Sequence, residues 1–315
     1  KEDAMKLKNL AVMGLVLVGA VGAVISFLVL AASVKGTDGP DTLDTSSAPP
    51  TTPAADVVRG CGDDDDINSA GGNDVVFGDS GFAGDPNCTG LPAGYDTILG
   101  GTGRDQLLGE DGNDVIAGEA GNDRIYGGNG DDILGVDPGV GTTEDDNDRI
   151  EGGNGNDQID GGDGNDVIYG GNEDCPDNTG PQPNGDQIEG GAGNDKIFGG
   201  AGCDVIEDGA GNDFIEGGLD TDEIKAGSNA GDDDIINIRV GDVNPGETEK
   251  ITCTQAPNTT TRVFLKRNSL GSFPRGTPSG RVLPGTAMLI IDPVTGGVYE
   301  INNPLGGGNC IVIRR

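Results

Sequence analysis

Apolar side chains recur with a nine-residue period through the middle of the chain, and each follows an aspartate by two residues. The period belongs to the repeat Gly-Gly-x-Gly-x-Asp-x-(Ile/Leu)-x, whose clearest copies are residues 152–160, 161–169 and 190–198. The stretch x-(Ile/Leu)-x is too short for a helix and fits a three-residue strand with its central side chain pointing inward. The apolar series consists of Ile98, Leu107, Ile116, Ile125, Leu134, Ile150, Ile159, Ile168, Ile188, Ile197, Ile206, Ile215 and Ile224.

Glycines occupy the first, second and fourth positions of the repeat, where they allow turn conformations that a β-carbon would block. Each nonapeptide therefore predicts a turn followed by a short strand, and two nonapeptides make one coil of a flattened, mainly β solenoid. Its core is a thin stripe of one Ile or Leu per repeat, set against a backbone entropy cost of roughly 1–2 kcal/mol per residue. We therefore expect the fold to need a second source of stabilisation.

The repeated aspartate indicates calcium as that source. Ca²⁺ takes about 6–8 oxygen ligands in irregular geometry, and aspartate carboxylates together with turn carbonyls offer such oxygens. Aspartates on one edge of the solenoid follow each other after 18 residues, as Asp96 and Asp114 do, so one ion can bridge two coils. Asp65 and Asp74 lie in imperfect first repeats, as degenerate ligands or as part of an N-terminal cap. The predicted ligands are Asp74, Asp96, Asp105, Asp114, Asp123, Asp132, Asp148, Asp157, Asp166, Asp186, Asp195, Asp204, Asp213, Asp222 and Asp233.

Residues 60–235 resemble the RTX family of calcium-binding parallel β-rolls, for which this nonapeptide is a signature. The resemblance implies a calcium-loaded parallel β-roll whose metal ligands are the sixth-position aspartates and the turn carbonyls. We place this roll at residues 57–235. Without the ion, repulsion between the carboxylates predicts a disordered chain.

Composition narrows the possible functions. The net charge of −35 argues against nucleic acid as a partner, because nucleic acid requires a basic face. The sequence has no histidine, which excludes a Ser-His-Asp triad and a His-Glu-x-x-His zinc site. The stretch Gly78-Asp79-Ser80-Gly81 is similar to a serine-protease loop, but it lies inside a repeat and has no base partner. We therefore expect no enzymatic activity.

The six cysteines form no Cys-x-x-Cys motif and favour disulfides in an oxidising compartment. Six cysteines allow fifteen connectivities, and sequence alone does not choose among them. Neighbourhood suggests the pairs Cys61–Cys88, Cys175–Cys203 and Cys253–Cys310. The second pair has a geometric reason, because the insertion that carries Cys175 leads to the same edge of the solenoid as Cys203.

Residues 10–34 carry no charge and are long enough to span a bilayer as a helix. Three interpretations stay open: a signal peptide that starts at Met5, a permanent membrane anchor, and a pilin-type helix that packs in a filament core. The chain starts at Lys1 ahead of the apolar stretch, and the first 35 residues weakly resemble type IV pilins. Met5 stands where bacterial pilins have Glu, which leaves the archaeal variant of the family, often without that Glu, as the resemblance. We predict a hydrophobic helix at 1–35 and a Pro/Thr/Ser-rich linker at 36–56.

Residues 236–315 differ in character from the repeats. Short β-rich runs alternate with Pro and Gly, and Lys and Arg become more frequent. This pattern predicts a small, separate all-β domain of sandwich type that caps the open end of the solenoid. Longer spacings from Asp132 to Asp148 and from Asp166 to Asp186 predict insertions in turns, which a solenoid tolerates.

Together these features predict a structural subunit of an extracellular, calcium-stabilised filament, with the helix in the filament core and the roll outside. The alternatives are a membrane-anchored RTX adhesin or surface-layer protein, and a secretion-linked fragment of an RTX enzyme. The predicted partners are further copies of this chain, a membrane at least before assembly, and an unidentified surface ligand.

Overall fold

The computed structural model describes residues 33–35, 42–44, 55–79, 94–135, 146–172, 185–227, 232–240, 248–253, 260–267, 280–291, 298–304 and 309–314. Within these ranges every regular element is a strand. The first half contains β1 (Ser33–Lys35), β2 (Thr42–Asp44), β3 (Val57–Arg59), β4 (Asp66–Asn68), β5 (Gly71–Gly72), β6 (Val75–Phe77), β7 (Thr97–Gly103), β8 (Gln106–Asp111), β9 (Val115–Ala120), β10 (Arg124–Asn129), β11 (Ile133–Leu134), β12 (Arg149–Asn154) and β13 (Gln158–Asp160). The second half contains β14 (Val167–Asn172), β15 (Gln187–Glu189), β16 (Lys196–Ala201), β17 (Val205–Glu207), β18 (Phe214–Leu219), β19 (Glu223–Lys225), β20 (Ile235–Val240), β21 (Thr248–Thr252), β22 (Thr260–Arg267), β23 (Gly280–Val282), β24 (Thr286–Ile291), β25 (Val298–Asn303) and β26 (Asn309–Arg314).

From β1 to β22 consecutive strands alternate between two sheets, apart from the two-residue β5, which pairs with β7, so that two strands and two turns make one coil. The first sheet has the order β1-β3-β6-β8-β10-β12-β14-β16-β18-β20-β22-β26-β23, and the second has the order β2-β4-β7-β9-β11-β13-β15-β17-β19-β21-β25-β24. Strands that neighbour each other across coils are parallel and in register, as in the pairing of Ile125 with Ile150 and of Ile168 with Ile197. The predicted parallel β-roll is confirmed.

The core is the stripe of apolar side chains between the two sheets. Every member of the series from Ile98 to Ile224 is at most 3 % exposed. Neighbouring strands keep their register across the long spacings that precede Asp148 and Asp186, since β10 pairs with β12 and β13 with β15. The insertions therefore leave the stack of coils intact, as the sequence predicts.

The first glycine of the repeat is required by close packing. A β-carbon placed on Gly109 would lie 2.2 Å from Asp114 Oδ2 and 2.7 Å from the carbonyl oxygen of Gly127 on the next coil. The fourth glycine is required by backbone conformation, as at Gly112 with a φ of 138°. These two constraints explain why glycine recurs at the first and fourth positions of the repeat.

The C-terminal strands do not form a separate sandwich domain, which corrects the prediction for residues 236–315. β22 and β26 continue the first sheet, and β21 and β25 continue the second, all in parallel. The sheets continue because Val263 and Ile301 keep the core in register with Ile236 and Ile251. The predicted capping is present in another form, since the antiparallel strands β23 and β24 end the two sheets.

At the other end, the roll begins earlier than the predicted residue 57. β1 pairs with β3 and β2 pairs with β4, so Ser33–Lys35 is a strand instead of the end of a helix, and Thr42–Asp44 is a strand within the predicted linker. Backbone pairing to an exposed sheet edge explains both departures. The predicted helix over residues 1–32 lies outside the described residues. In the part of the chain described here, no helix is long and apolar enough to cross a membrane.

The predicted disulfide between Cys253 and Cys310 is present, with 5.9 Å between the Cα atoms. It joins the end of β21 in the second sheet to β26 in the first, and both cysteines are buried. Cys61 and Cys203 are also disulfide-bonded. Their predicted partners, Cys88 and Cys175, lie outside the described residues.

Candidate calcium sites

Two rows of aspartates run along the roll, one at the turn before each strand. We call the residues that precede strands of the first sheet the first row, and those that precede strands of the second sheet the second row. Since the aspartate and the core residue are two positions apart, both side chains point inward. The first row is Asp56, Asp74, Asp105, Asp123, Asp148, Asp166, Asp195, Asp213 and Asp234, and the second row is Asp65, Asp96, Asp114, Asp132, Asp157, Asp186, Asp204 and Asp222.

The aspartates of each row are linked by hydrogen bonds from coil to coil. The backbone N–H of one aspartate donates to Oδ1 of the aspartate on the next coil, for example from Asp166 to Asp195 at 2.8 Å and from Asp195 to Asp213 at 2.8 Å. The second row repeats the arrangement, for example from Asp96 to Asp114 at 2.8 Å. One carboxylate oxygen of each aspartate therefore fixes the stacking of two coils.

The second carboxylate oxygen, Oδ2, is the group that needs a ligand. It is buried and has no hydrogen-bond partner in Asp96, Asp105, Asp114, Asp123, Asp132, Asp157, Asp166, Asp195, Asp213 and Asp234. A buried anionic oxygen without a partner costs several kcal/mol unless a cation or a proton neutralises it. The rows therefore present a regular series of uncompensated negative charge inside the roll.

Burial disfavours the charged form of these carboxyls and therefore raises their pKa. Desolvation raises the pKa of Asp123, Asp157 and Asp166 to about 8, against a partly opposing hydrogen bond from the preceding aspartate's backbone. The same cause raises the pKa of Asp96 and Asp114 to about 7. Neighbouring aspartates of the same row add a smaller repulsive contribution. Positive charge beside these carboxyls would therefore favour their ionised form in the folded roll.

The oxygens that surround each Oδ2 suit a calcium ion. The point where a β-carbon of Gly109 would stand lies within 2.7 Å of both Asp114 Oδ2 and the Gly127 carbonyl oxygen. The corresponding point at Gly152 lies 2.3 Å from Asp157 Oδ2 and 2.6 Å from the Gly170 carbonyl oxygen. Glycine thus leaves a space in which a carboxylate and a carbonyl from different coils converge. Hard oxygen donors of mixed type are the ligands that calcium prefers.

The structure places the predicted ligands in these rows with one exception. Asp233 is exposed, and its carboxylate pairs with Arg262 at 3.3 Å. Asp234 takes its place, is 1 % exposed, and accepts the backbone N–H of Asp213 on Oδ1. The run of three aspartates at 232–234 hides the shift of one residue, because an isoleucine follows two residues after both Asp233 and Asp234.

Besides Asp234, three buried acids of the roll lie outside the predicted ligand set, although Asp65 was expected as a degenerate ligand or as part of an N-terminal cap. Asp56 and Asp65 begin the two rows, and Asp65 donates its backbone N–H to Asp96 Oδ1 at 2.8 Å. The Val58 and Ile67 side chains, two residues later, were the available signal for these positions. The third acid, Asp208, lies outside both rows in a position that the repeat reserves for glycine, and no periodic signal marks it.

The fold and the rows of inward carboxylates define a parallel β-roll with calcium-binding repeats. Comparison with family models agrees, because the model of the RTX calcium-binding nonapeptide repeat (4 copies) matches residues 51–82, 93–116, 99–134, 142–174, 184–207 and 204–235. These matches cover slightly more than half of the chain, and the chain belongs to this family of RTX calcium-binding repeat proteins. Among curated proteins, no match to the chain was found.

Proposed function

We propose that this chain is a structural subunit of an extracellular surface filament, in which calcium ions stiffen the roll and residues 10–32 associate in the filament core. The observation that carries the proposal is the pair of buried aspartate rows. They make folding of the roll conditional on a cation that is plentiful outside cells, and they extend over nearly all of the described coils.

The geometry supports a mechanical role for the roll. Each coil contacts the next through in-register parallel strands, aspartate hydrogen bonds and the core stripe, so the stack is a rod of repeating units. An ion bound between two coils adds a further link between them. Calcium therefore acts as the folding switch and as the stiffening agent of the rod.

An extracellular location is supported by the repeat family and by the cysteines. Cys61, Cys203, Cys253 and Cys310 are all disulfide-bonded. Disulfides persist in oxidising compartments and are rare in the cytosol. A chain that needs both disulfides and abundant calcium fits the outside of a cell.

Assembly into a filament is supported by the amino-acid sequence of residues 10–32. This stretch has no charge, and its glycines at 14, 19 and 22 suit close packing of apolar segments. The net charge of −35 on the whole chain opposes association through the roll unless ions neutralise it. Association through the apolar segment, with the roll outside, satisfies both constraints.

The experiment is negative-stain microscopy of the full chain in calcium, without detergent, beside the variants Val24→Arg and Ser47→Arg. Val24 lies in the apolar segment and Ser47 in the polar stretch that follows, so both variants add the same charge. We expect fibres with the wild type and Ser47→Arg, and none with Val24→Arg. Single particles that require detergent in all three would instead indicate the membrane-anchored adhesin or surface-layer protein.

A further inference from the structure

Asp208 breaks the repeat at its first position. Residues 208–216 read Asp-Gly-Ala-Gly-Asn-Asp-Phe-Ile-Glu, so an aspartate replaces the glycine that begins the neighbouring repeats at Gly199 and Gly217. At both of those glycines a β-carbon would stand within 2.4 Å of the Oδ2 atom of the sixth-position aspartate of the same repeat. The side chain of Asp208 therefore enters the space that other repeats leave open.

In that space Asp208 meets two aspartates of the first row. One carboxylate oxygen from each of Asp208, Asp213 and Asp234 lies within 4.8 Å of the other two. The three side chains are at most 2 % exposed. The neighbouring repeats have glycine at this first position, as at Gly199 and Gly217, so Asp208 adds a second carboxylate beside the sixth-position aspartate of its own repeat.

One buried carboxylate oxygen of each aspartate in this cluster lacks a hydrogen-bond donor. Oδ2 of all three aspartates is buried without a partner. The other oxygen of Asp208 accepts the backbone N–H of Gly227. The nearby cations are engaged at the surface, since Lys225 pairs with Glu223 at 3.7 Å and Arg262 pairs with Asp233 at 3.3 Å.

We propose that Asp208, Asp213 and Asp234 form a three-carboxylate cation site that binds calcium more tightly than the repeat sites of the roll. The inference rests on the calcium-dependent roll proposed above and adds a ligand that the nonapeptide motif does not contain. A third carboxylate raises the negative charge of the site, and carboxylate count is one of the factors that set calcium affinity. A hard cation that accepts several oxygens is the ligand that this chemistry selects.

The position of the cluster gives the site a defined role. Asp234 is the last aspartate of the first row. On the next coil, Arg262 pairs with Ile235, so the residue that corresponds to Asp234 is Thr261. The site therefore lies where the calcium-binding coils meet the C-terminal strands. As the tightest site it fills first, and ordering of the roll then starts from this end.

The test is calcium titration calorimetry with ion counting by native mass spectrometry, on the full chain and on two variants. Asp208→Gly restores the glycine of the motif and keeps a foldable repeat, while Glu207→Gln removes one charge from the exposed neighbouring side chain. In the wild type we expect one ion in a class at least about tenfold tighter than the rest. Asp208→Gly is expected to lose this class and keep the others, and Glu207→Gln to keep all of them.

A second variant and a second measurement separate binding from packing. Asp208→Asn retains the size of the side chain and must lose the tight class as Asp208→Gly does. Hydrogen exchange at a calcium concentration that fills one site must protect residues 204–236 first in the wild type. The proposal is overturned if Asp208→Gly leaves the isotherm unchanged, which would make Asp208 a protonated structural acid. Absence of any calcium binding by the wild type would instead overturn the proposed function.

Discussion

The roll and the C-terminal strands share two continuous sheets but differ in what lies at the turns. In residues 55–240 an aspartate stands before almost every strand, whereas the corresponding levels further on carry Glu249 beside Tyr299 and Thr261 beside Cys310. Apart from the antiparallel strands β23 and β24, the parallel pairing of strands is the same in both regions. The comparison therefore separates the parallel-sheet architecture from the interactions that stabilise it.

The difference follows from how much apolar surface each strand buries. A typical strand of the roll places one Ile or Leu in the core, while β22 buries Val263 and Leu265 and β25 buries Tyr299 and Ile301. The later coils also have the buried Cys253–Cys310 disulfide. Apolar burial and a covalent bond stabilise this end, whereas the core of the roll is thin and, in the proposed function, cations supply the remaining stabilisation.

Calcium removal tests the comparison most strongly. With excess chelator we expect the amide protection of residues 96–227 to be lost, because the carboxylates of both rows then repel each other inside the stack. The amides of β22, β25 and β26 should retain more protection. Hydrogen exchange of the full chain with mass spectrometry, with and without chelator, measures both regions in one sample. Magnesium in place of calcium is the control, since its octahedral demand suits these turns poorly.

Retained protection throughout residues 96–227 in excess chelator would contradict the dependence on ions. Equal loss in both regions would show that the C-terminal strands cannot hold without the coils beneath them. The roll and the C-terminal strands would then differ in amino-acid composition but not in how they are stabilised.

The disulfide tests the other half of the comparison. The double variant Cys253→Ala, Cys310→Ala opens a loop with a sequence separation of 57 residues, and loop entropy predicts a loss of about 4 kcal/mol. We expect faster hydrogen exchange in residues 248–314 and an unchanged calcium isotherm for the roll. Val312→Ala on the same strand removes buried volume without a cross-link and should cost less. A weakened isotherm in the double variant would show that the two regions are not separately stabilised.

The sequence predicted the roll well because its signal is physical and repeated. Each Asp and the Ile two residues later must both face inward on a strand, so that period, face and ligand agree at every copy. The continuity of the sheets beyond residue 236 was missed because the strands there lack the regular aspartate and bury two apolar residues, as Val263 and Leu265 in β22, so the nine-residue period is lost. The pattern did not distinguish Asp234 from Asp233 as the buried aspartate, because an isoleucine follows each of them by two residues. Asp208 was missed because its role depends on two residues from different coils.

Within the roll, a single ligand tests whether the rows act as a unit. Asp195→Asn keeps an oxygen that can accept the N–H of Asp166 but removes the charge, so calcium has a weaker ligand between two coils. We expect a loss of about 2 kcal/mol of unfolding free energy in saturating calcium, with weaker binding on both adjacent coils. Asp163→Asn is the control, since it removes the same charge from an exposed side chain. Urea unfolding with calcium titration measures both effects, and equal behaviour of the two variants would refute the role of the row.

The smallest expected effect concerns backbone strain, which also divides the two regions. The described non-glycine residues with positive φ are Cys61, Asp63, Ala70, Glu110, Glu119 and Asp220, and all of them lie in the roll. Glu119 has a φ of 66° at the second position of its repeat, where glycine is usual. Glu119→Gly relieves about 1–2 kcal/mol of left-handed strain, and the greater freedom of glycine in the unfolded chain offsets part of it.

We therefore expect Glu119→Gly to stabilise the calcium-bound roll by about 0.5 kcal/mol, seen as a small rise in the urea midpoint. Glu119→Gln is the matched control, because it removes the charge and keeps the strained backbone. If both variants raise the midpoint equally, the gain comes from reduced repulsion among acids, and strain at the second position contributes nothing. If only Glu119→Gly does, the roll carries a conformational cost at this turn that calcium binding offsets.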